Sequence, residues 1–251
     1  MQHTIFIADL HLSAAQPALV TTLAKFAETI TPQTTALYIL GDLFSLWVGD
    51  DDQSPFNHEI IMLLKKIAQH APVYLMPGNR DFLLGPKFAV ASNCTLLSDP
   101  TKIDLYDRPT LLSHGDRLCA NDIAMSIFRS ISQNKLAKQC FLCVPLALRS
   151  KLAHMIQDYT IRKTKTKIAR LLCISSQHLA HVVKRYQITQ VIHGHIHRSE
   201  EETLTINNQT VRRISLSNWE TTPNALIYYA NGTYQINCLD LSTACIKAST
   251  K

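Results

Sequence analysis

The sequence has no long hydrophobic run. Its longest uncharged apolar stretch, Cys140–Leu148, spans nine residues, about half of the ~20 that a membrane-spanning helix requires. The N-terminus, MQHTIFIADLHL, has no basic segment ahead of its apolar residues and meets Asp9 almost at once, so no secretory signal peptide is expected. Repeated cysteine pairs are missing too. Of 7 cysteines, Cys140 and Cys143 form one CxxC, with no second to complete a four-thiolate metal site. The rest sit in apolar segments, Cys94, Cys119, Cys173 and Cys238 among them. They read as reduced, buried small hydrophobes of a cytoplasmic protein. Internal repeats and low-complexity tracts are absent. With 46% hydrophobic and 18% charged residues in 251, disorder as the main state is excluded. The chain is long enough for a sizeable core, in one large domain or two small ones.

What is present is an alternation. Thr4–Ala8, Ala36–Leu40, Val73–Met76, Thr110–Ser113 and Gln190–His193 read as short buried strands. Pro17–Ile30 and Pro55–His70 carry apolar residues at helical spacing, each opened by a proline tolerated in the first turn. Strand–helix–strand order predicts an α/β domain. From Thr203 the pattern changes to strands joined by turns: Leu204–Ile206, Val211–Leu216, Ala225–Tyr229 and Tyr234–Cys238, with hairpin turns at Asn207-Asn208 and Asn231-Gly232. A helical stretch from about Asn121 to Tyr186 interrupts the alternation.

Acidic residues are nearly missing from part of that stretch. Residues 135–170 hold nine Lys/Arg and one acid, Asp158, a balance of +8 against +6 for the whole chain. The window also contains the apolar run at 140–148. A net positive charge alone admits nucleic acid, a phosphate ester or an acidic lipid surface. Basic and apolar residues together describe a surface for an amphiphilic anion or a membrane interface. No nucleic-acid-binding motif or aromatic platform accompanies it, so nucleic acid is not an expected partner.

The chemistry lies just beyond the strands. They run into Asp9-Leu10-His11, Gly41-Asp42, Gly78-Asn79-Arg80-Asp81, His114-Gly115-Asp116 and His193-Gly194-His195-Ile196-His197. Each ends in Asp, Asn or His, ligands suited to a divalent metal. In open α/β sheets ligands collect beyond the carboxyl ends of the strands, so the five segments should converge. Asp9, His11, Asp42, Asn79, His114, His195 and His197 exceed the four ligands of one tetrahedral zinc. They suit two metals about 3.5–4 Å apart that share a carboxylate, as in phosphoester hydrolysis, where the metals withdraw charge from phosphate oxygens and acidify water. No Ser, Cys or Lys nucleophile is required.

The set DxH…GD…GN…H…GHxH over residues 5–197 resembles the calcineurin-like metallophosphoesterases. The resemblance implies two mixed β-sheets sandwiched by helices, in an α/β (α+β) fold. It also implies Asp9, His11, Asp42 and His197 on one metal and Asp42, Asn79, His114 and His195 on the other, with Asp42 bridging. Many members have His where Arg80 stands. A permanently cationic guanidinium cannot shuttle a proton but grips phosphate with a two-pronged fork. The leaving group therefore needs no protonation, as in a pyrophosphate.

Longer stretches, FIADLHL, YILGDLFSLWVGDDD, GNRDFLLG, HGDRLC, IHGHIHR and the Trp219 segment, are similar to the UDP-2,3-diacylglucosamine hydrolase family of lipid A biosynthesis over nearly the whole chain. That likeness implies a single domain over 1–251 with a helical lid at 121–186, two Mn2+ ions, and water attacking the α-phosphorus of a UDP-linked diacylated glucosamine. It further implies a monomer, peripheral on the cytoplasmic face of the inner membrane. Acyl chains would use Phe128, Phe141, Leu142 and Leu146. Sugar phosphates would use Arg80, Lys167 and Arg149; Asn79, His195, Asp122, Thr160, Thr164 and Lys167 complete the expected substrate contacts. Three places depart from the family pattern: Ala120-Asn121-Asp122 after HGDRLC, threonines at 160 and 164 where a Ser and an Asn are usual, and Asn218 where a Gly is usual before Trp219. These touch substrate contacts and leave the metal ligands intact. A soluble nucleotide pyrophosphatase of the same superfamily and a scaffold without turnover are the alternatives.

Overall fold

The computed structural model describes residues 1–119, 123–164, 174, 176–206, 208–239 and 246–248, with the side chains of 123–126, 128, 158–164, 176 and 246–248 outside the description. Two sheets form the centre. The first contains β1 (His3–Ile7), β2 (Thr34–Leu40), β3 (Val73–Met76) and β4 (Cys94–Leu96), paired in parallel in that order. On the other side of β1 lie β10 (Asn224–Tyr229), β11 (Tyr234–Leu239) and β12 (Ile246–Ala248), all antiparallel. The second sheet has the order β5 (Thr101–Asp104), β6 (Pro109–Ser113), β7 (Gln190–His193), β9 (Gln209–Ser215), β8 (Glu200–Ile206). Its three central strands are parallel and its two edges antiparallel. Both sheets are mixed, as expected.

Because successive side chains of a strand point to opposite faces, β1 serves two cores. Ile5 and Ile7 face α1 (Pro17–Glu28), α2 (Pro55–Ile67) and α3 (Pro86–Ser92), packing with Leu23, Phe26, Ile60, Leu64 and Phe88. Phe6 and Ala8 face the second sheet, packing with its Leu112, Ile192 and Ile214 and with Tyr228 of the neighbouring β10. Burial on both faces is why these strands read as unbroken apolar runs. A third core covers the outside of the second sheet, where Leu179, Val182 and Val183 of α7 (Ser176–Tyr186) meet Leu111, Val191 and Val211. The layers are thus helix, sheet, sheet, helix.

Between β6 and α7 stand α4 (Ile123–Ser132), α5 (Lys135–Leu142) and α6 (Leu146–Thr164). Asn134 caps α5, its side chain accepting from the backbone N–H groups of Leu136 and Ala137. Among its described residues, the stretch read as helical holds four helices, the last of which, α7, packs on the second sheet. The Asn231-Gly232 turn forms as predicted: Tyr229 N–H donates to Thr233 O at 2.8 Å and Gly232 takes φ +82°. Asn207 of the other hairpin lies outside the described residues, while Asn208 has φ +59°. The edge strands β4 and β5 were not legible in the sequence, being three and four residues long. Cys94 and Cys119 are buried as expected, but Cys140, Cys143 and Cys238 are exposed free thiols; Cys173 lies outside the described residues.

Candidate metal centre

The carboxyl ends of β1, β2, β3, β6 and β7 meet at one edge of the sandwich. The loops after β1 and β2 run side by side beyond their strands: Asp9 N–H donates to Gly41 O (3.1 Å), His11 N–H to Asp42 O (3.0 Å) and Leu12 N–H to Leu43 O (2.9 Å). Trp219 N–H donates to Asp9 O (3.0 Å) and Gly194 N–H to His114 O (2.9 Å), joining the second sheet and the β9–β10 connection to the same place.

The backbone there is strained. Asp9, His11, Asp42, His195 and His197 all have left-handed φ, between +49° and +69°, a region that ordinary side chains rarely enter and that clusters at functional sites. Two glycines allow the loops to touch. A Cβ at Gly78 would overlap Asp42 Oδ1, and one at Gly194 would overlap Asp9 Oδ2. Asp81, fully buried, ties the loops after β2 and β3 together: its carboxylate accepts from Leu43 N–H (2.7 Å), Phe44 N–H (3.3 Å) and Gly78 N–H (2.7 Å).

The side chains converge. Ligand atoms of Asp9, His11 and His197 lie within 4.8 Å of one another, and so do those of Asp9, Asp42 and His114. Asp42 turns one oxygen to each side, Oδ2 being 3.4 Å from His11 Nε2 and Oδ1 3.8 Å from His114 Nε2. Asp9 Oδ1 lies 3.8 Å from His11 Nε2 and 3.5 Å from His197 Nε2. Asn79 joins through Oδ1, 2.9 Å from His114 Nε2. The His195 ring stacks edgewise on His114 with centroids 5.0 Å apart, and its backbone N–H donates to Asp9 Oδ2 at 2.7 Å. All seven predicted ligands are therefore in one cluster, with Asp9 common to both groups and Asp42 reaching from the second group to His11 of the first. Arg80 stands at the rim: its N–H donates to Asp42 Oδ1 (2.8 Å) and its Nε is 3.5 Å from Asp42 Oδ2.

Charge in the cluster is mutual. Burial opposes a proton on His11, but the carboxylates of Asp42 and Glu220 outweigh it and raise the pKa to about 9. Burial likewise opposes the proton on His114, yet Asp42 and Asp9 raise it to about 10. Asp9 and Asp42 are lowered: burial pushes them up, and the neighbouring imidazoles more than offset it. Burial, then the charge of His114, lowers His195 to about 4. Burial, then the charge of Asp42, raises Asp81 to about 7. Asp9 Oδ1 and His11 Nε2 are buried without hydrogen-bond partners. Such orphans cost about 1–3 kcal/mol each, and a divalent cation held between them satisfies both. The donor set, carboxylate, amide and imidazole, is that of a borderline divalent metal, so the residues fit the expected pair.

Several expected substrate contacts lie beyond description. Asp122 and Lys167 are outside the described residues, Thr160 and Thr164 fall in the last turns of α6 with undescribed side chains, and the Phe128 side chain is likewise outside. The expectation for Arg149 is corrected. Its guanidinium is 1% exposed and donates to Leu142 O (2.7 Å), Val144 O (3.1 Å) and Asp51 Oδ1, so it pins α5 and α6 to the loop after β2 instead of meeting phosphate. Phe141 is half-buried against the helix-side core, while Leu142 is 40% exposed.

Sequence reading missed three features. Glu220 accepts from His11 Nδ1–H at 2.9 Å, and no motif marks it. Asp81 sits in the Gly78–Asp81 segment, but only the fold shows what it holds. A cavity of about 260 Å3 beside Gly78 and Asn79 is lined by Arg117, Arg129 and Lys138 together with Asp99 and Asp116.

These features, two mixed sheets with a clustered Asp/Asn/His centre at the strand ends, define a metallophosphoesterase. Residues 3–199 match the family model described as calcineurin-like phosphoesterase, and the chain belongs to that family. A UDP-2,3-diacylglucosamine hydrolase of Coxiella burnetii is 37% identical over 241 residues, covering 96% of this chain and 99% of that one. One from Pseudomonas paraeruginosa is 39% identical over 229 residues, covering 91% and 95%. Within the phosphoesterases the chain thus belongs with the UDP-2,3-diacylglucosamine hydrolases. Among solved structures, an archaeal phosphodiesterase aligns with a TM-score of 0.51 at 13% identity, covering 95% of this chain and 100% of that chain. Vps29 from Entamoeba histolytica, a single mutant, gives 0.50 at 13%, covering 99% and 97%. At that identity the likeness shows the fold alone.

Proposed function

We propose that the protein hydrolyses the pyrophosphate of UDP-2,3-diacylglucosamine to UMP and 2,3-diacylglucosamine 1-phosphate, as a monomer bound peripherally to the cytoplasmic face of the inner membrane. The observation that carries the substrate is the position of an apolar, basic helical layer directly beside the cluster. Gln157 of α6 donates to Ser45 O at 2.7 Å, and Ser45 Oγ donates in turn to His11 O. On that helix Leu148, Leu152 and Met155 share one face and are 39–60% exposed, as are Ile127 and Ile131 on α4 at 57% and 59%. Exposed apolar side chains at such density mark an interaction surface, and acyl chains gain about 0.8 kcal/mol per buried CH2. No helix among the described residues is long and apolar enough to cross a membrane. The helical insertion at 121–186 is the proposed lid over a single domain.

In this reading Asp9, His11, Asp42 and His197 would hold one Mn2+, and Asp42, Asn79, His114 and His195 the other. When bound, such a pair would withdraw charge from phosphate oxygens and lower the pKa of the attacking water. Arg80, at the rim and partly exposed, grips the phosphate beyond Asn79 and compensates charge as it develops. Water adds to the α-phosphorus and gives up a proton to solvent, the bond from that phosphorus to the bridging oxygen breaks, and the oxygen leaves with the sugar phosphate. The departing phosphate needs no proton, in keeping with a cation in place of an acid at position 80. Asp122, Thr160, Thr164 and Lys167 are proposed to contact the glucosamine and its phosphate. The test is a manganese-supplemented assay of UDP-2,3-diacylglucosamine against UDP-N-acetylglucosamine and a dinucleoside polyphosphate. The lipid should be preferred by orders of magnitude; preference for either soluble compound overturns the lipid reading.

A further inference from the structure

The two halves of the cluster are supported differently on the side facing away from the metals. A histidine that ligates through Nε2 must carry its proton on Nδ1, and the group accepting that proton sets ring orientation and ligand basicity. His114 Nδ1–H donates to a neutral backbone carbonyl, Leu40 O, at 3.0 Å. His11 Nδ1–H donates to a carboxylate, Glu220 Oε2, at 2.9 Å. The other oxygen of Glu220 is held as well: Gln16 Nε2 donates to Oε1 at 3.2 Å, and Gln16 Oε1 accepts from Ser13 Oγ–H at 3.4 Å.

Glu220 is placed by its neighbour. The Trp219 side chain is completely buried, its Nε1–H donates to Asn224 O at 3.2 Å, and its ring meets Phe26 edge-on at 5.9 Å. With Trp219 N–H bonded to Asp9 O, the next side chain is delivered beneath the ring of His11. Glu220 itself remains one-third exposed, so the core does not depend on it for packing.

We infer that Glu220 is a positioning residue that makes the Asp9–His11–His197 half the tighter of the two metal sites. It fixes the His11 tautomer with Nε2 toward the metal and adds a formal negative charge one imidazole away, whereas His114 has only a carbonyl dipole behind it. Outer carboxylates of this kind change metal affinity by about 10–100-fold. The inference rests on the two-metal reading, and its test separates the two.

Stepwise Mn2+ binding to the metal-free protein is followed by the electron paramagnetic resonance signal of free Mn2+, for wild type, Glu220→Gln, Glu220→Ala and Gln16→Ala. Wild-type stoichiometry tests the metal pair; the ratio of variant to wild type tests Glu220. Glu220→Ala should weaken the tighter step by about 10–100-fold and leave the weaker step within twofold. Glu220→Gln keeps an acceptor for Nδ1–H without the charge and should fall between. Gln16→Ala, which frees the carboxylate from its second hold, should change the same step in the same direction by less. In the zinc-loaded protein, the His11 Nδ1–H proton should exchange slowly with solvent in wild type and in Glu220→Gln, where it has an acceptor, and faster in Glu220→Ala. Equal weakening of both steps, no weakening, or unchanged exchange of the His11 Nδ1–H proton in Glu220→Ala refutes the assignment. Unchanged thermal unfolding of the metal-free variants separates the effect from a loss of fold.

Discussion

Replacing Asp81 by alanine tests how the two ligand-bearing loops are held. The change removes the acceptors of three buried N–H groups, from Leu43, Phe44 and Gly78. An unsatisfied buried donor costs about 1–3 kcal/mol; taking the two 2.7 Å bonds at mid-range and the 3.3 Å bond at the low end gives about 5 kcal/mol. Against a total stability of about 5–15 kcal/mol, that brings the protein close to unfolding. Asparagine keeps one oxygen, best used for Leu43 and Phe44, and leaves Gly78 N–H facing an amide NH2, so its expected loss is about 2 kcal/mol. Urea denaturation of the metal-free proteins, monitored by tryptophan fluorescence, gives both numbers, with m unchanged if only stability has moved. Mn2+ affinity should fall in both variants, because the register between Asp42 and Asn79 runs through this carboxylate. A loss below about 1 kcal/mol for alanine, or an asparagine variant no more stable than alanine, would show that the loops are held by something else.

Two further outcomes follow from the same geometry. The metal-free protein carries an extra proton on both His11 (pKa about 9) and His114 (pKa about 10) at pH 7, and metal binding must expel them. Mn2+ affinity should therefore climb as pH rises toward 9 and flatten beyond 10, and calorimetry in buffers of different ionisation enthalpy should find close to two protons released per metal pair at pH 7; no buffer dependence would contradict the raised values. Arg149→Ala strips donors from Leu142 O, Val144 O and Asp51. It should expose α5 and α6 to proteolysis at least tenfold faster while leaving Mn2+ affinity within twofold, and an unchanged cleavage rate would remove Arg149 as the pin.

Much of the cluster was legible before any fold was known, because a strand end is a local feature. Each ligand stands within a few residues of a short apolar run, and those runs are unbroken because both faces of β1, β2 and β3 are covered. Convergence followed from a general rule about the carboxyl ends of strands, so Asp9, Asp42, Asn79, His114 and His195 could be grouped although they span 187 positions of the sequence. The stretch between β6 and β7, helical in its described residues, was legible as a block. Its division into α4, α5, α6 and the core helix α7 was not, since a helix that packs on a sheet and one that packs on its neighbours share the same 3.6-residue period.

Arg149 shows the limit most plainly. By composition it was one more cation in a basic window, suited to phosphate; its use depends on which carbonyls and carboxylate surround it. Glu220 is the converse, an ordinary acid beside a tryptophan, 209 residues from the histidine it supports. Asp81 lies in plain view beside Asn79, yet its three donors come from two different loops. The sequence by itself determined which atoms are available to metals, because ligand chemistry belongs to residue type and local spacing. Only the tertiary structure decided which groups stand behind those ligands, because outer contacts are made between segments whose distance along the chain carries no information about their distance in space.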